Sequence, residues 1–213
     1  MPLQNRVTPF GEIVAVPQRG MFIGNRGIIH DPKTRTLLNK RWATRTWLVC
    51  TCDYKDIRRT VMGAGSWTEL FFLDEATALS AGHRPCFLCR RERAGAFRAA
   101  WATAQSILPP SASQIDVALH RERLQNGHKR LHVLAAPIST LPDGAMIAAD
   151  GAAYAVVGGE PFLWTHDGYR VALHPSFVDG LLTPPSTLAA LKAGYRPVFH
   201  PSLKTIRTNG PAA

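Results

Sequence analysis

Long apolar runs are missing from this chain of 213 residues. None approaches the roughly 18 residues that a membrane-spanning helix needs, so a helical membrane protein is not expected. Cysteine is scarce too. Four residues are too few for a disulfide scaffold, and in a reducing compartment sparse cysteines raise the question of metal binding. The opening Met1-Pro-Leu-Gln-Asn-Arg has no apolar core of the kind a signal peptide carries, and a cytoplasmic location is expected from it. Acidic residues number only 15 against 25 basic ones, which leaves a formal charge of +10. Lysine is also rare, at 6 of those 25. What is present is an ordinary globular composition, 46% hydrophobic and 19% charged, which argues against wholesale disorder.

The basic charge is therefore mainly arginine, 19 residues, the side chain suited to gripping phosphate or carboxylate in a planar fork or to stacking on a ring. Residues 1–98 hold 16 basic and 8 acidic side chains, a net +8, while the remaining 115 hold 9 and 7. A polyanion partner, most simply DNA or RNA, is the reading this asymmetry favours over a merely solvated basic surface. The oligomeric state is not legible.

The pattern along the chain predicts an α+β fold: a small antiparallel sheet with a cysteine cluster packed on helices, then a second, smaller α+β part. Residues 1–30 read as Gly-rich and irregular, with one short apolar stretch, Ile13–Val16, and a turn at Gly24-Asn-Arg-Gly27. Three strands are expected over Thr46–Cys52, Asp56–Met62 and Thr68–Leu73. Asp74 caps a helix over Glu75–Ala81 that Gly82 ends, and a second helix starts near Cys86 or Phe87 and runs to Gln105. Its apolar stripe is Phe87, Ala94, Phe97, Trp101 and Ala104. Pro109-Pro110 suggests a linker, dividing a domain at 1–110 from one at 111–213. A third helix covers Gln114–Leu124 behind a Ser113 cap. Short strands follow over Ala145–Ala149, Ala152–Val157 and Phe162–Trp164, then a helix over Ser186–Ala193 and a frayed polar tail after Ser202.

Cys86-Phe-Leu-Cys89 is a C-x-x-C ahead of a helix, a spacing that lets both thiolates face one tetrahedral zinc. Cys50-Thr-Cys52 lies upstream. On a regular strand its two sulfurs share a face, so both can reach the same ion; His30 or His83 is the alternative fourth ligand. Four buried free cysteines acting as small hydrophobes, or a redox C-x-x-C, are the competing readings. The redox one lacks its alternating strands and helices.

The string Glu75-Ala-Thr-Ala-Leu-Ser-Ala-Gly-His-Arg-Pro-Cys-Phe-Leu-Cys89 resembles the second half of the Ada-type metal-binding domain, over roughly residues 45–92. The resemblance implies one zinc held by Cys50, Cys52, Cys86 and Cys89, contact with DNA, and in that family a zinc thiolate that takes a methyl group from an alkylated backbone phosphate. The family has three residues between its first two cysteines; one stands here. The chain as a whole also resembles a set of bacterial proteins, a likeness that brings no function with it. For phosphate contacts the expected residues are Arg84, Arg90, Arg91 and Arg93 beside the metal, then Arg41, Arg45, Arg58 and Arg59. Link to DNA repair would follow from the same family.

A nucleic-acid-acting enzyme is the alternative: a nuclease, repair hydrolase or zinc nucleobase deaminase using Asp116, His120 and Glu122. Asp116 and His120 lie one turn apart on a helix, so the carboxylate can orient the ring as a general base. Ordinary solvated i,i+4 pairing is the plainer account. The deaminase strings H-x-E and P-C-x-x-C both occur, at His120–Glu122 and Pro85–Cys89, but in reversed order. Trp42 and Trp47 sit among Arg41 and Arg45, where stacking on bases competes with core packing. Finally, Ala78–Pro85 and Ala190–Pro197 agree at six of eight positions, read as one helix-stop solution reached twice.

Overall fold

The computed structural model describes residues 1–55 and 60–209, and the expected strand at Asp56–Met62 falls largely outside them. In chain order come β1 (Arg6–Val7), β2 (Ile13–Val14), β3 (Phe22–Asn25), β4 (His30–Asp31), β5 (Thr36–Leu37), β6 (Leu48–Thr51), β7 (Leu70–Phe72) and α1 (Glu75–Ser80). Then follow β8 (Arg84–Pro85), α2 (Arg91–Gln105), α3 (Ala112–Arg123), β9 (Leu124–Gln125), β10 (His128–Lys129), β11 (Met146–Ala149), β12 (Ala152–Val157), β13 (Glu160–Thr165), β14 (Gly168–Arg170), β15 (Gly180–Leu181), α4 (Pro185–Lys192) and α5 (Ser202–Asn209). The class is α+β with several small sheets.

The first sheet has the order β2-β1-β7-β3-β6-β8 and is mixed rather than antiparallel, since β1 pairs parallel with β7 and β6 with β8. The strand between β6 and β7 is β3, drawn from the stretch expected to be irregular. Gly24 makes this insertion fit. A Cβ there would stand 1.9 Å from the Leu48 carbonyl oxygen and 2.8 Å from the Phe72 ring. Glycine in a strand reads as weak or as a turn from sequence alone, whereas here it permits close backbone approach. Gly24→Ala is therefore expected to lower unfolding free energy by roughly 3 kcal/mol, read by urea denaturation, because the obstacle is backbone and cannot swing aside.

The second sheet, β14-β13-β12-β11-β15, is antiparallel throughout, and its strands β11 and β12 are buried on both faces. Met146 and Ala148 point into one cluster with Leu73, Tyr169 and Leu203, while Ile147 and Ala149 point into another with Leu141, Tyr154 and Leu181. Leu203 belongs to α5, so the tail expected to fray is a helix held by core contacts. Residues either side of the expected 110/111 division share cores: Leu79, Phe97 and Trp101 pack with Ile115, Leu119, Leu191 and Tyr195.

α1 is wholly buried, and its first turn joins these layers. Asp74 caps it through the Thr77 amide at 2.8 Å, as expected, and also accepts from the Tyr169 hydroxyl at 2.7 Å and the His200 amide at 3.0 Å. Glu75, 0% exposed, accepts from the Val198 amide at 2.9 Å, the Tyr195 hydroxyl, and Arg93 at 3.1 Å, with Arg90 Nη1 3.0 Å away. Gly82 (φ 88°) and Gly194 (φ 106°) end α1 and α4 in the left-handed region. At both ends the glycine amide and the next amide (His83 or Tyr195) turn back to carbonyls of the helix, on Leu79 and Ala78 or on Leu191 and Ala190. The internal echo is one capping geometry used twice.

Candidate metal centre and basic cleft

Parallel pairing of β6 with β8 carries the chain past Pro85 so that the Cys86 amide donates to the Val49 carbonyl at 3.0 Å. This sets Cys86 beside Cys50. The next four residues form a turn, closed by the Arg90 amide on the Cys86 carbonyl at 3.0 Å, and α2 begins only at Arg91. The C-x-x-C thus precedes the helix rather than opening it, and the turn brings Cys89 back toward Cys86. The Sγ atoms of Cys50, Cys86 and Cys89 lie within 4.8 Å of one another, close enough to hold a metal ion. Tetrahedral zinc–thiolate bonds of about 2.3 Å would bring sulfurs to roughly 3.8 Å, so a small contraction suffices. The Leu88 amide points at the Cys86 sulfur from 3.4 Å, and hydrogen bonds from the Cys50 and Cys89 thiols hold Cys86 toward its thiolate form. The same contacts push the Cys50 thiol up.

Cys52 does not join this group. β6 ends at Thr51, so the pleat that would have kept residues 50 and 52 on one face stops short, and Cys52 is exposed with its sulfur 3.5 Å from the Met21 carbonyl oxygen. Neither histidine joins it either. His30 is held by the Thr68 hydroxyl at 2.6 Å and the Gly63 carbonyl at 3.2 Å. His83 is wedged against the rings of Trp47 and Phe72 and accepts from Arg26. Among the described residues three thiols stand where four ligands were expected.

The arginines divide sharply. Arg84 is buried and forms a two-pronged ion pair with Asp116, at 2.7 and 2.8 Å. Arg90 and Arg93 face Glu75. These three face carboxylates inside the protein, and the sequence gives no distance information that would have paired them. Arg41, Arg45 and Arg91 are exposed, whereas Arg58 and Arg59 lie outside the described residues.

Asp116, His120 and Glu122 do not converge. Asp116 is taken by Arg84 and by the Thr46 hydroxyl at 2.9 Å. Glu122 caps α4 through the Ser186 amide at 3.0 Å and its hydroxyl. His120 lies edge-on to Trp42 and 2.9 Å from Arg123, with burial and the charges of Arg123 and Arg45 holding its pKa below the usual imidazole range. The helix carrying them starts at Ala112, where Ser111 and Gln114 form a capping box two residues earlier than expected.

Sequence reading missed a second feature. Between the N-terminal strands and the β9–β10 hairpin lies a cleft of about 560 Å³ lined by Arg26, Arg41, Arg123, Lys129 and the rings of Trp42 and Trp47. Trp47 is packed between two guanidinium groups, Arg26 at 3.9 Å and Arg123 at 3.7 Å. Its sequence neighbours Arg41 and Arg45 were the only available hint of cation stacking. Comparison with family models, curated proteins and solved structures returns no match. The Ada likeness accordingly rests on the motif residues, and no helix in the described residues is long and apolar enough to cross a membrane.

Proposed function

We propose that this protein is a zinc-stabilised nucleic-acid-binding protein, with DNA the favoured partner and a role tied to DNA repair. The observation that carries the reading is the position of the three-thiol cluster on the half of the chain with a net +8, with Cys50 on the strand that follows Arg41 and Arg45 and Cys89 two residues before Arg91. Thiol ligands alone suit zinc, and the buried edge position suits a metal that braces β6, β8 and the turn into α2. The Ada-like string around Cys86 supports the same assignment.

Of the described arginines expected to meet phosphate, Arg41, Arg45 and Arg91 remain available, because Arg84, Arg90 and Arg93 are turned inward to Asp116 and Glu75. Three phosphate contacts predict that log affinity falls against log salt with a slope of about −3. Fluorescence polarisation with labelled duplex and single-stranded DNA over a salt series measures it. Replacing Arg41, Arg45 and Arg91 together by alanine is expected to remove most of the binding and flatten the slope. Absence of binding at low salt, or binding indifferent both to salt and to the triple variant, would overturn the reading.

A further inference from the structure

The cleft beside Trp47 gathers more positive charge than the protein around it neutralises. Arg26 and Arg123 are each 1% exposed, yet no carboxylate forms an ion pair with either, or with Lys129, among the described residues. Their hydrogen-bond partners are neutral, His120 beside Arg123 included, and the one carboxylate that acts on Arg123 from further off, Asp116, is already paired with Arg84. Arg26 donates to His83 and to the Gly11 carbonyl at 3.0 Å, and its Nη2 has no protein partner. Arg123 donates to the carbonyls of Gly82 at 3.0 Å and Arg45 at 2.8 Å, leaving its Nε unpartnered. Lys129 reaches the Ser80 carbonyl.

Desolvated like charges at close range are costly, and here the cost is legible: burial and mutual repulsion bring Arg26 to about 9 and Lys129 to about 7, and burial is the main cause that brings Arg123 to about 9. The structure nonetheless fixes their positions. Gly82 leaves room for the Arg123 stem, since a Cβ at that residue would stand 2.6 Å from Arg123 Cβ and Cδ. Fixed, desolvated donors without an anion are the usual construction of an anion site. The cleft is larger than a lone phosphate needs and falls in the range of small-molecule sites. Half-buried Trp42 on its wall offers a ring face, and Phe10 and Ile13 add apolar surface.

We propose that this cleft binds a nucleoside phosphomonoester, with the phosphate on Arg26, Arg123 and Lys129 and the base against Trp42. The site is separate from the exposed arginines of the proposed nucleic-acid surface, apart from Arg41 at its wall. It stands whether or not that surface binds DNA. Free nucleotide and the 5′-phosphorylated end of a strand present the same group.

Isothermal titration calorimetry of the full chain tests it, using adenosine 5′-monophosphate, adenosine, inorganic phosphate, and one short oligonucleotide with a 5′-phosphate or a 5′-hydroxyl. Either the nucleotide or the phosphorylated end is expected to bind, with adenosine at least tenfold weaker than the nucleotide and, in an Arg45→Ala/Arg91→Ala background that silences the proposed DNA surface, the 5′-hydroxyl strand at least tenfold weaker than the phosphorylated one. Binding of the mononucleotide assigns the site to free nucleotides, and binding of the phosphorylated strand alone assigns it to strand ends. Lys129→Met keeps the apolar stem and should weaken binding roughly tenfold with the circular dichroism spectrum unchanged. Arg26→Lys, tested alongside, should weaken it further by losing the fork.

Affinity should also fall from pH 7 to 9 as Lys129 loses its proton, against a background of Glu12, Arg41 and His128 at the mouth and neutral His83 behind Arg26. Lys129→Met should remove the part of that fall nearest pH 7 and leave the part toward pH 9 that belongs to Arg26 and Arg123. Failure of both phosphorylated ligands to bind at millimolar concentration would overturn the proposal. So would equal binding of phosphorylated and unphosphorylated forms, or affinity unchanged in both variants.

Discussion

Glu75→Ala is expected to destabilise the protein by about 3–5 kcal/mol, the range seen when one partner of a buried ion pair is removed. Glu75 sits at the first position of a fully buried helix, with Arg90, Arg93, Tyr195 and the Val198 amide around its two oxygens. Removing the carboxylate strands the Arg90 guanidinium, a hydroxyl and an amide in the interior, and leaves the part-exposed Arg93 without its ion pair. Burial and the Glu75 charge push the Tyr195 hydroxyl well above its usual range, so Tyr195 stays a donor and cannot compensate. Burial alone would lower the Arg93 pKa, but Glu75 and Tyr195 raise it. Glu75→Gln keeps the size and two acceptor lone pairs and should cost less, which separates charge from shape. Chemical denaturation of both variants checks this; a loss below about 1 kcal/mol for alanine would show that the network is not holding the layers together.

The second large effect concerns the metal. Purified protein is expected to carry one zinc per chain, lost in Cys86→Ser or Cys50→Ser and retained in Cys52→Ser, since Cys52 stands outside the thiol group. Chelation should lower the melting temperature by roughly 10 °C, corresponding to about 4 kcal/mol for a chain of this size. Collapse to an unfolded chain is not expected, because the cores around Met146, Phe97 and Leu141 make no use of the cysteines. Metal analysis and calorimetry with and without chelator read both results. Metal-free protein that melts unchanged, or a Cys52→Ser variant that loses metal as readily as Cys86→Ser, would remove the site.

Some of this was written plainly in the chain. The cap at Asp74, the left-handed Gly82 and Gly194, the α4 helix within one residue of its expected bounds and the β12 strand all follow local rules in which a few adjacent residues decide the outcome. C-x-x-C singled out Cys86 and Cys89 because its spacing carries the geometry within one turn. Cys50 and Cys52 were indistinguishable by sequence, since only the place where β6 stops separates them.

What lay beyond local rules was the partner of each charge. Arg84 with Asp116 spans 32 positions, Glu75 with Val198 spans 123, and Glu122 with Ser186 spans 64. An arginine facing phosphate and one facing a buried carboxylate are the same letter in the same composition. The net charge and the thiol motif were thus properties of the sequence itself. Which arginines remain outside, and that Arg26, Arg123 and Lys129 line one cleft with no ion-paired carboxylate among the described residues, was decided only when β3 entered the sheet and α3 packed against α4 and β9. Side-chain charge is a local property, but its desolvation and pairing depend on contacts that distant segments make.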